Sequence, residues 1–282
     1  MYKLTKPDGF DFYSSTINYR NAIGTIIRVT DYDPPEKGAC GRGLHASRNP
    51  NDCFVGAKVP CAAFLVKGIN KIAGDATKSR YQALKILKEI TDLNSLFGWN
   101  YTEVINPIDP FKIEPPVITE KELTLLKTWN SVSDSVRNSV RNSVRDFVRD
   151  FVSDSMMNSV WNFVRDSVRL SVKLYMRDFV SDSVMNSVWN FVRDSVRLSV
   201  KLSVGDFVSD PVMNSVWNSV GAYFGSLFPN IEKWEYIKHK KGIYPFQSAV
   251  DLWKSGLVSS YDGKIWRLHG KKKAEILWEG KI

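Results

Sequence analysis

The sequence has no long apolar run, few histidines and no even set of cysteines. None of its segments approaches the roughly 18 to 20 consecutive apolar residues of a membrane span, and the start Met1-Tyr-Lys-Leu-Thr is not typical of a signal peptide. The three cysteines all lie between Cys40 and Cys61. An odd number in so short a stretch argues against a disulfide-built secreted domain. We therefore expect a cytoplasmic protein with reduced thiols and no membrane partner.

The motifs of well-known catalytic sites are also missing. The sequence contains no Gly-x4-Gly-Lys-Ser/Thr phosphate loop, no His-Glu-x-x-His, no Gly-x-Ser-x-Gly and no closely paired cysteines of a metal site. Only three histidines are present in 282 residues. The sequence therefore leaves enzyme status open and predicts no cofactor.

The formal net charge of +9 suggests a nucleic-acid ligand, so its distribution matters. Residues 1–116 carry +3, residues 117–228 carry +1 and residues 229–282 carry +5. The same boundaries separate three styles of sequence. We predict an α+β protein with a small N-terminal α+β domain (1–116), a tetrapeptide-repeat segment (117–228) and a small, basic, Trp-rich α+β module at the C terminus (229–282).

The middle segment is an internal repeat. Every fourth residue from Val132 to Val220 is Val, except that Met fills two of the positions, and the units have the form Ser-Val-x-Asp/Asn. A larger unit is duplicated as well, since residues 151–178 recur as 179–206 and begin again at 207.

Two folds suit a period of four residues. On an α-helix the Val stripe advances about 40° per unit, so one apolar face lasts three or four units. In a β-solenoid, four residues would form one short side with Val inward. The flanks favour the helix, because Thr119 and Glu122 form a capping-box pattern upstream and apolar residues at helical spacing continue to Pro229 downstream. We expect breaks or kinks at Gly205 and Pro211.

The N-terminal segment has short β-rich runs separated by turns. They predict strands at Tyr2–Leu4, Phe10–Ser14, Gly24–Thr30 and Pro60–Lys67, a helix at Lys78–Ile90 and a proline-rich linker near residues 107–116.

The distinctive motif of this domain is Cys40-Gly-Arg-Gly-Leu-His-Ala-Ser47, followed later by Gly74-Asp-Ala-Thr-Lys-Ser-Arg80. Two glycines beside Arg42 allow the backbone to approach a ligand closely. An enzyme interpretation makes His45 and Ser47 the catalytic candidates, with ligand-binding candidates at Arg42, Lys78 and Arg80. It predicts a nucleotide- or NAD-using transferase, and a distant likeness to ADP-ribosyl-transferring domains rests on the placement of the histidine alone.

Two other interpretations of the motif compete. A zinc site would use Cys40, His45, Cys53 and Cys61, but their spacings of five, eight and eight residues match no standard ligand pattern. A structural interpretation needs only a tight glycine turn, a hydrogen-bonded histidine and buried thiols. The structural interpretation is preferred, and we predict no metal.

The last 54 residues combine four tryptophans with a net positive charge. The pattern predicts a helix within Tyr244–Gly256 and a hairpin of strands at Ile265–His269 and Ala274–Trp278. Nucleic acid could bind at the basic candidates Lys240, Lys241, Arg267, Lys271, Lys272 and Lys273. The preferred alternative is that the tryptophans form the core of a small domain and the lysines are solvated.

Two of these stretches resemble modules of uncharacterised prokaryotic and phage-encoded proteins. The Cys-Gly-x-Gly-Leu-His-Ala-Ser motif with the later Gly-Asp and Lys-x-Arg covers about residues 1–90. The string YPFQSAVDLWKSGLV with YDGKIWRLH covers about residues 229–280 and resembles a module of proteins that carry Ser-Val tetrapeptide repeats. The resemblance implies a modular, viral or mobile-element architecture and no particular activity.

From the sequence we predict a non-enzymatic interaction or scaffold protein. Its repeat would act as a spacer or as an assembly surface, for a protein partner or for self-association. The near-neutral repeat is itself unsuited to nucleic acid, because a phosphate-binding surface needs net positive charge. Nucleic-acid binding by the C-terminal module and transferase activity around His45 are the alternatives.

Overall fold

A computed structural model describes residues 1–148, 172, 180–204, 210–232, 234 and 237–282. It contains helices and antiparallel sheets, which confirms the predicted α+β class. The chain divides into two compact units. Unit 1 consists of Met1–Ile105 with Val180–Phe191, and unit 2 of Asn106–Phe179 with Val192–Ile282. The predicted boundaries at residues 116 and 228 do not coincide with the limits of these units.

An antiparallel sheet forms the centre of unit 1. Its strands are β1 (Tyr2–Thr5), β2 (Ile26–Arg28), β3 (Leu44–Ala46), β4 (Ala62–Gly74) and β5 (Ser79–Ile90). The order is β1-β4-β5-β2, and β3 also pairs with β5. Two 3-10 helices (Pro35–Cys40 and Pro50–Val55) and two short α-helices, α1 (Leu93–Phe97) and α2 (Tyr101–Ile105), flank the sheet. The main core cluster consists of Tyr19, Leu44, Ala46, Ala62, Phe64, Val66, Tyr81, Leu84 and Ile86.

The helix predicted over Lys78–Ile90 is wrong, because this segment is strand β5. The strand has partners on both edges, β4 on one and β2 and β3 on the other. Leu84 and Ile86 are fully buried, whereas Lys85 between them is exposed. This period of two fits a strand. Pairing and burial therefore override the local preference for helix.

Unit 2 packs helices on a second antiparallel sheet. Its helices are α3 (Glu120–Val148), α5 (Asp210–Ser226) and α6 (Gln247–Lys254), and its sheet has the order β6 (Val258–Tyr261), β7 (Trp266–Gly270) and β8 (Glu275–Gly280). The predicted C-terminal helix and hairpin are confirmed as α6 and the β7–β8 pair.

Aromatic side chains dominate the core of unit 2. Trp129 packs edge-on against Phe246 with their ring centres 6.4 Å apart, and Tyr223 stacks on Trp253 at 5.6 Å. The Ile108 amide donates to the Tyr223 hydroxyl at 2.9 Å, and the Ile108 carbonyl accepts from Trp253 Nε1 at 2.9 Å. The segment predicted as a proline-rich linker is therefore anchored in the core of this unit.

The described part of the repeat is helical, and no β-solenoid occurs there. It lies in α3, in α4 (Asp182–Val204) and in α5. Val184, Val188 and Val192 are fully buried, so a four-residue spacing keeps one apolar face over three units. Pro211 occupies the first turn of α5, where a helix tolerates proline. Gly205 lies outside the described residues. None of the described helices is both long and apolar enough to cross a membrane.

Candidate functional site

A cavity of about 750 Å³ lies in unit 1 beside strand β3. This volume falls in the range of about 300–1,000 Å³ that is typical of small-molecule sites. The walls come from β1, β3, the loop of residues 11–19, the segment 29–43, the segment 52–57 and Lys78. The predicted site residues that line it are Cys40, Arg42, His45, Ser47, Cys53 and Lys78, while Arg80 and Cys61 do not.

Arg80 supports the backbone that lines the cavity and is itself inaccessible to a ligand. Its side chain is completely buried. The guanidinium donates to four backbone carbonyls, those of Asp33 at 2.6 Å, Pro34 at 2.8 Å, Gly38 at 3.1 Å and Arg42 at 2.8 Å. Its donors are thus used within the fold, so the ligand-binding role predicted for Arg80 is replaced by a structural one.

The two glycines of the motif are explained by the same side chain. A Cβ at Gly41 would lie 2.5 Å from Arg80 Nη1, and a Cβ at Gly43 would lie 2.7 Å from Arg80 Cγ. Gly43 also has a φ of +144°, which other residues rarely adopt. The motif at 40–47 and the later Lys-Ser-Arg80 are therefore two halves of one structural feature.

His45 is neutral at physiological pH. Burial lowers its pKa to about 4, and the positive charges of Lys3, Lys78 and Arg80 act in the same direction, against a hydrogen bond to Ala39. Its Nε2 lies 3.0 Å from the Ala39 carbonyl oxygen. Because a carbonyl only accepts, Nε2 carries the proton and Nδ1 is left as an acceptor.

Lys3 and Lys78 supply the cavity with positive charge. Both line it, and the positive charges of both lower the pKa of His45. Lys3 Nζ lies 5.3 Å from the centre of the Tyr19 ring. Within the described part of the chain, neither ammonium forms an ion pair with a carboxylate. The sequence singled out Lys78, but Lys3 belongs to no motif and was missed.

Arg42 also lines the cavity, but its guanidinium is paired with acidic residues. It forms ion pairs with Asp31 at 2.6 Å and with Asp33 at 3.1 Å. Hydrogen bonds from the Arg42 backbone and side chain lower the pKa of Asp33. This pairing fixes the loop that carries Asp31 and Asp33.

The loop at residues 11–17 forms another wall, and the strand predicted over Phe10–Ser14 is wrong. The Asp11 carboxylate accepts hydrogen bonds from the backbone amides of Tyr13, Ser14, Thr16 and Ile17, at 2.7–3.2 Å. Burial alone would raise the pKa of Asp11, but these hydrogen bonds lower it to about 2. The amides thus bond to a side chain instead of a neighbouring strand, which is the usual competition between Asp and β structure.

The other catalytic candidate, Ser47, does not form a pair with His45. Ser47 is buried, its backbone pairs with that of Tyr2, and its side chain bonds to the Cys53 thiol. In the described ranges no hydrogen bond joins Ser47 to His45. His45 therefore does not activate the Ser47 hydroxyl, as nucleophilic catalysis by this pair would require.

The four zinc candidates do not form a metal site. Over the described residues, no three His, Cys, Asp or Glu side chains are grouped so that they could hold a metal ion. Cys40 is exposed, whereas burial raises the pKa of Cys53 and raises that of Cys61 to about 12. Thiols that stay protonated are poor ligands and poor nucleophiles.

Acidic neighbours occupy half of the basic candidates in the C-terminal segment. Lys241 pairs with Glu232, Lys271 with Glu275, and Arg267 with both Asp262 and Glu279. The other three candidates, Lys240, Lys272 and Lys273, are exposed. Three of the four tryptophans, Trp234, Trp253 and Trp266, are buried and cannot stack on a base. The arrangement fits a Trp core under a solvated surface.

Sequence reasoning missed one Ser-His contact in unit 2. Ser260 Oγ lies 2.7 Å from His269 Nε2, and His269 Nδ1 lies 3.1 Å from the Ala274 carbonyl. Nδ1 therefore carries the proton and Nε2 accepts from Ser260. The contact joins β6 to β7. Because Ser260 is fully buried, a substrate cannot reach it.

Comparison with family models, curated proteins and solved structures found no match to this chain. The resemblance to phage-type modules stays a prediction.

Proposed function

We propose that unit 1 binds a small phosphate-bearing anion in the cavity beside β3. The observation that carries this proposal is that Lys3 and Lys78 line the cavity without a carboxylate partner in the described residues. Phosphate oxygens form strong charge-assisted hydrogen bonds with ammonium groups. His45 adds an imidazole Nδ1 that accepts from a ligand hydroxyl.

Three of the four carboxylates that line the cavity have partners other than the lysines. Asp11 is held by backbone amides, and Asp31 and Asp33 are held by Arg42. Burial raises the pKa of Asp52, the fourth lining carboxylate. Lys3 and Lys78 are therefore the lining cations that pair with no carboxylate of the described residues, and we assign the anion to them. This supports the binding part of the transferase alternative, whereas the isolated Ser47 gives no support to a chemical step.

The proposal is tested by titrating the full chain with pyrophosphate at low ionic strength in a calorimeter. We expect saturable binding that weakens at least tenfold in a Lys3→Gln/Lys78→Gln double variant. Lys88→Gln is the matched control, because Lys88 is exposed and does not line the cavity. Absence of binding, or equal affinity in all three proteins, would refute the proposal.

We also propose, as a second function, that the Ser-Val repeat acts in assembly as well as in folding. The supporting observation is that repeat valines are buried in both units, Val184 and Val188 in unit 1 and Val216 and Val220 in unit 2. The same repeat sequence thus buries its valines in two different units. An interaction scaffold would use this property to pack against a partner.

A deletion of residues 151–178 tests this second proposal, because it removes one 28-residue copy and leaves Val180–Phe191 in place. We expect unit 1, which keeps all of its residues, to melt as in the parent chain, and the assembly state measured by light scattering to change. Unfolding of unit 1, or an unchanged assembly state, would contradict it.

A further inference from the structure

We infer that the ligand of this cavity carries an aromatic ring beside its phosphate, as a nucleotide does, and that Tyr13 stacks on that ring. The inference rests on the proposed anion-binding function. It adds the chemical class of the ligand and a residue that determines specificity.

The first argument is size. A phosphate group is only a few times larger than a water molecule, whose share of liquid volume is about 30 Å³. A cavity of about 750 Å³ therefore leaves most of its space empty around an inorganic anion. A ligand that excludes water from such a site has a large second part.

The second argument is the chemistry of the rest of the lining. Tyr13 and Val55 both line the cavity, yet the structure leaves them 91% and 51% exposed. The Tyr13 ring approaches the backbone at Gly56, where an added Cβ would lie 3.8 Å from Tyr13 Cε2. Tyr13 and Val55 thus form an apolar mouth, and Phe12 also lines the cavity. Exposed apolar groups beside a cavity are typical of a ligand contact.

The third argument is that the backbone of the loop that carries Tyr13 is fixed before a ligand arrives. Asp11 accepts hydrogen bonds from the amides of residues 13, 14, 16 and 17, and a bridge between Phe10 and Asn18 closes the base of the loop. A fixed loop loses little conformational freedom on binding. A bound aromatic ring would therefore gain most of the stacking energy.

These features give the cavity two chemically different parts. Lys3 and Lys78 attract a phosphate, and the apolar mouth at Tyr13 and Val55 packs against a planar ring. Phosphorylated aromatic compounds have both groups, and nucleoside monophosphates belong to that class.

The test compares adenosine 5′-monophosphate with ribose 5-phosphate, which has the same sugar and phosphate but no base. Stacking of a base on an aromatic side chain corresponds to about a 5- to 150-fold gain in affinity. We expect the full chain to bind adenosine monophosphate more tightly than ribose 5-phosphate by a factor in that range. Tyr13→Ala should abolish this preference for adenosine monophosphate and leave the affinity for ribose 5-phosphate unchanged. Tyr13→Phe keeps an aromatic ring and should preserve the preference.

Tyr32→Ala is the matched control, because it removes a tyrosine of unit 1 that is exposed but does not line the cavity. Equal binding of the two ligands, or a preference for adenosine monophosphate that survives in Tyr13→Ala, would overturn the inference and leave the anion site intact. Failure of both ligands and of pyrophosphate to bind would instead refute the proposed function itself.

Discussion

Arg80 lies opposite His45 in the register of the β3–β5 pair, yet the two side chains differ in function. The guanidinium is buried and holds the backbone of residues 33–42, whereas the imidazole reaches the cavity. A basic residue in a glycine-rich motif is thus as easily a structural group as a ligand-binding one. The count of donated hydrogen bonds separates the two cases.

Replacing Arg80 should therefore cost stability. Arg80→Lys leaves most of the four carbonyls without a donor, and each buried polar group that loses its partner costs about 1 to 3 kcal/mol. We expect a loss of about 3 kcal/mol or more in the free energy of unfolding, measured by urea denaturation. Arg42→Lys, at an exposed ion pair, should change it by less than about 1 kcal/mol. Equal losses in the two variants would contradict this assignment.

His45 should make the stability of unit 1 depend on pH. Its pKa is lowered to about 4 in the folded chain from an ordinary value of 6.5. Between these values the unfolded chain binds the extra proton, so the stabilising contribution is complete above pH 6.5 and is lost as pH falls toward 4. The free energy of unfolding of the wild type, relative to that of His45→Gln, should fall by roughly 3 kcal/mol as the pH is lowered from 6.5 to 4. A difference that stays constant with pH would contradict the neutral imidazole.

Secondary-structure elements differ in how well their sequences predict them. The capping pattern at Thr119 and Glu122, the amphipathic helix within Tyr244–Gly256 and the final hairpin carry local signals, and all three are correct. Strand β5 was predicted as a helix because its three strand partners, β2, β3 and β4, are invisible in a local window. The residues of the candidate site also differ in whether a local motif predicts them. The motif locates His45 and Lys78, but Lys3 and Tyr13 come from separate, motif-free segments that only the fold brings to the cavity.

Helix α4 offers a test of packing by the repeat. Val188 is fully buried in unit 1, so Val188→Ala should destabilise that unit by about 1 to 3 kcal/mol. Ser187 Oγ accepts from the Val59 amide at 3.0 Å, and hydrogen exchange at Val59 should accelerate in the variant.

Asn190→Ala is the control, because Asn190 lies on the same helix and is exposed. It should leave exchange at Val59 unchanged. Unaltered exchange in Val188→Ala as well would show that this helix does not stabilise unit 1.

At the scale of the whole chain, the division into two units predicts which residues a ligand of the cavity protects. Unit 1 contains the cavity and is discontinuous in sequence, since Val180–Phe191 belongs to it. Pyrophosphate should therefore slow hydrogen exchange within residues 1–105 and 180–191, and leave residues 210–232 and 237–282 unchanged. Protection that is strongest at the basic C-terminal residues would favour the nucleic-acid alternative instead.

The discontinuity of unit 1 also has a consequence during synthesis on the ribosome. Its first 105 residues emerge early, but the segment that completes their packing follows only after Asn106–Phe179 has been translated. At about 5 to 20 residues per second, this interval lasts roughly 4 to 15 seconds. Until then the first 105 residues lack the segment in which Val184 and Val188 are buried within unit 1, which makes this interval the time when a ribosome-bound chaperone would protect the chain most.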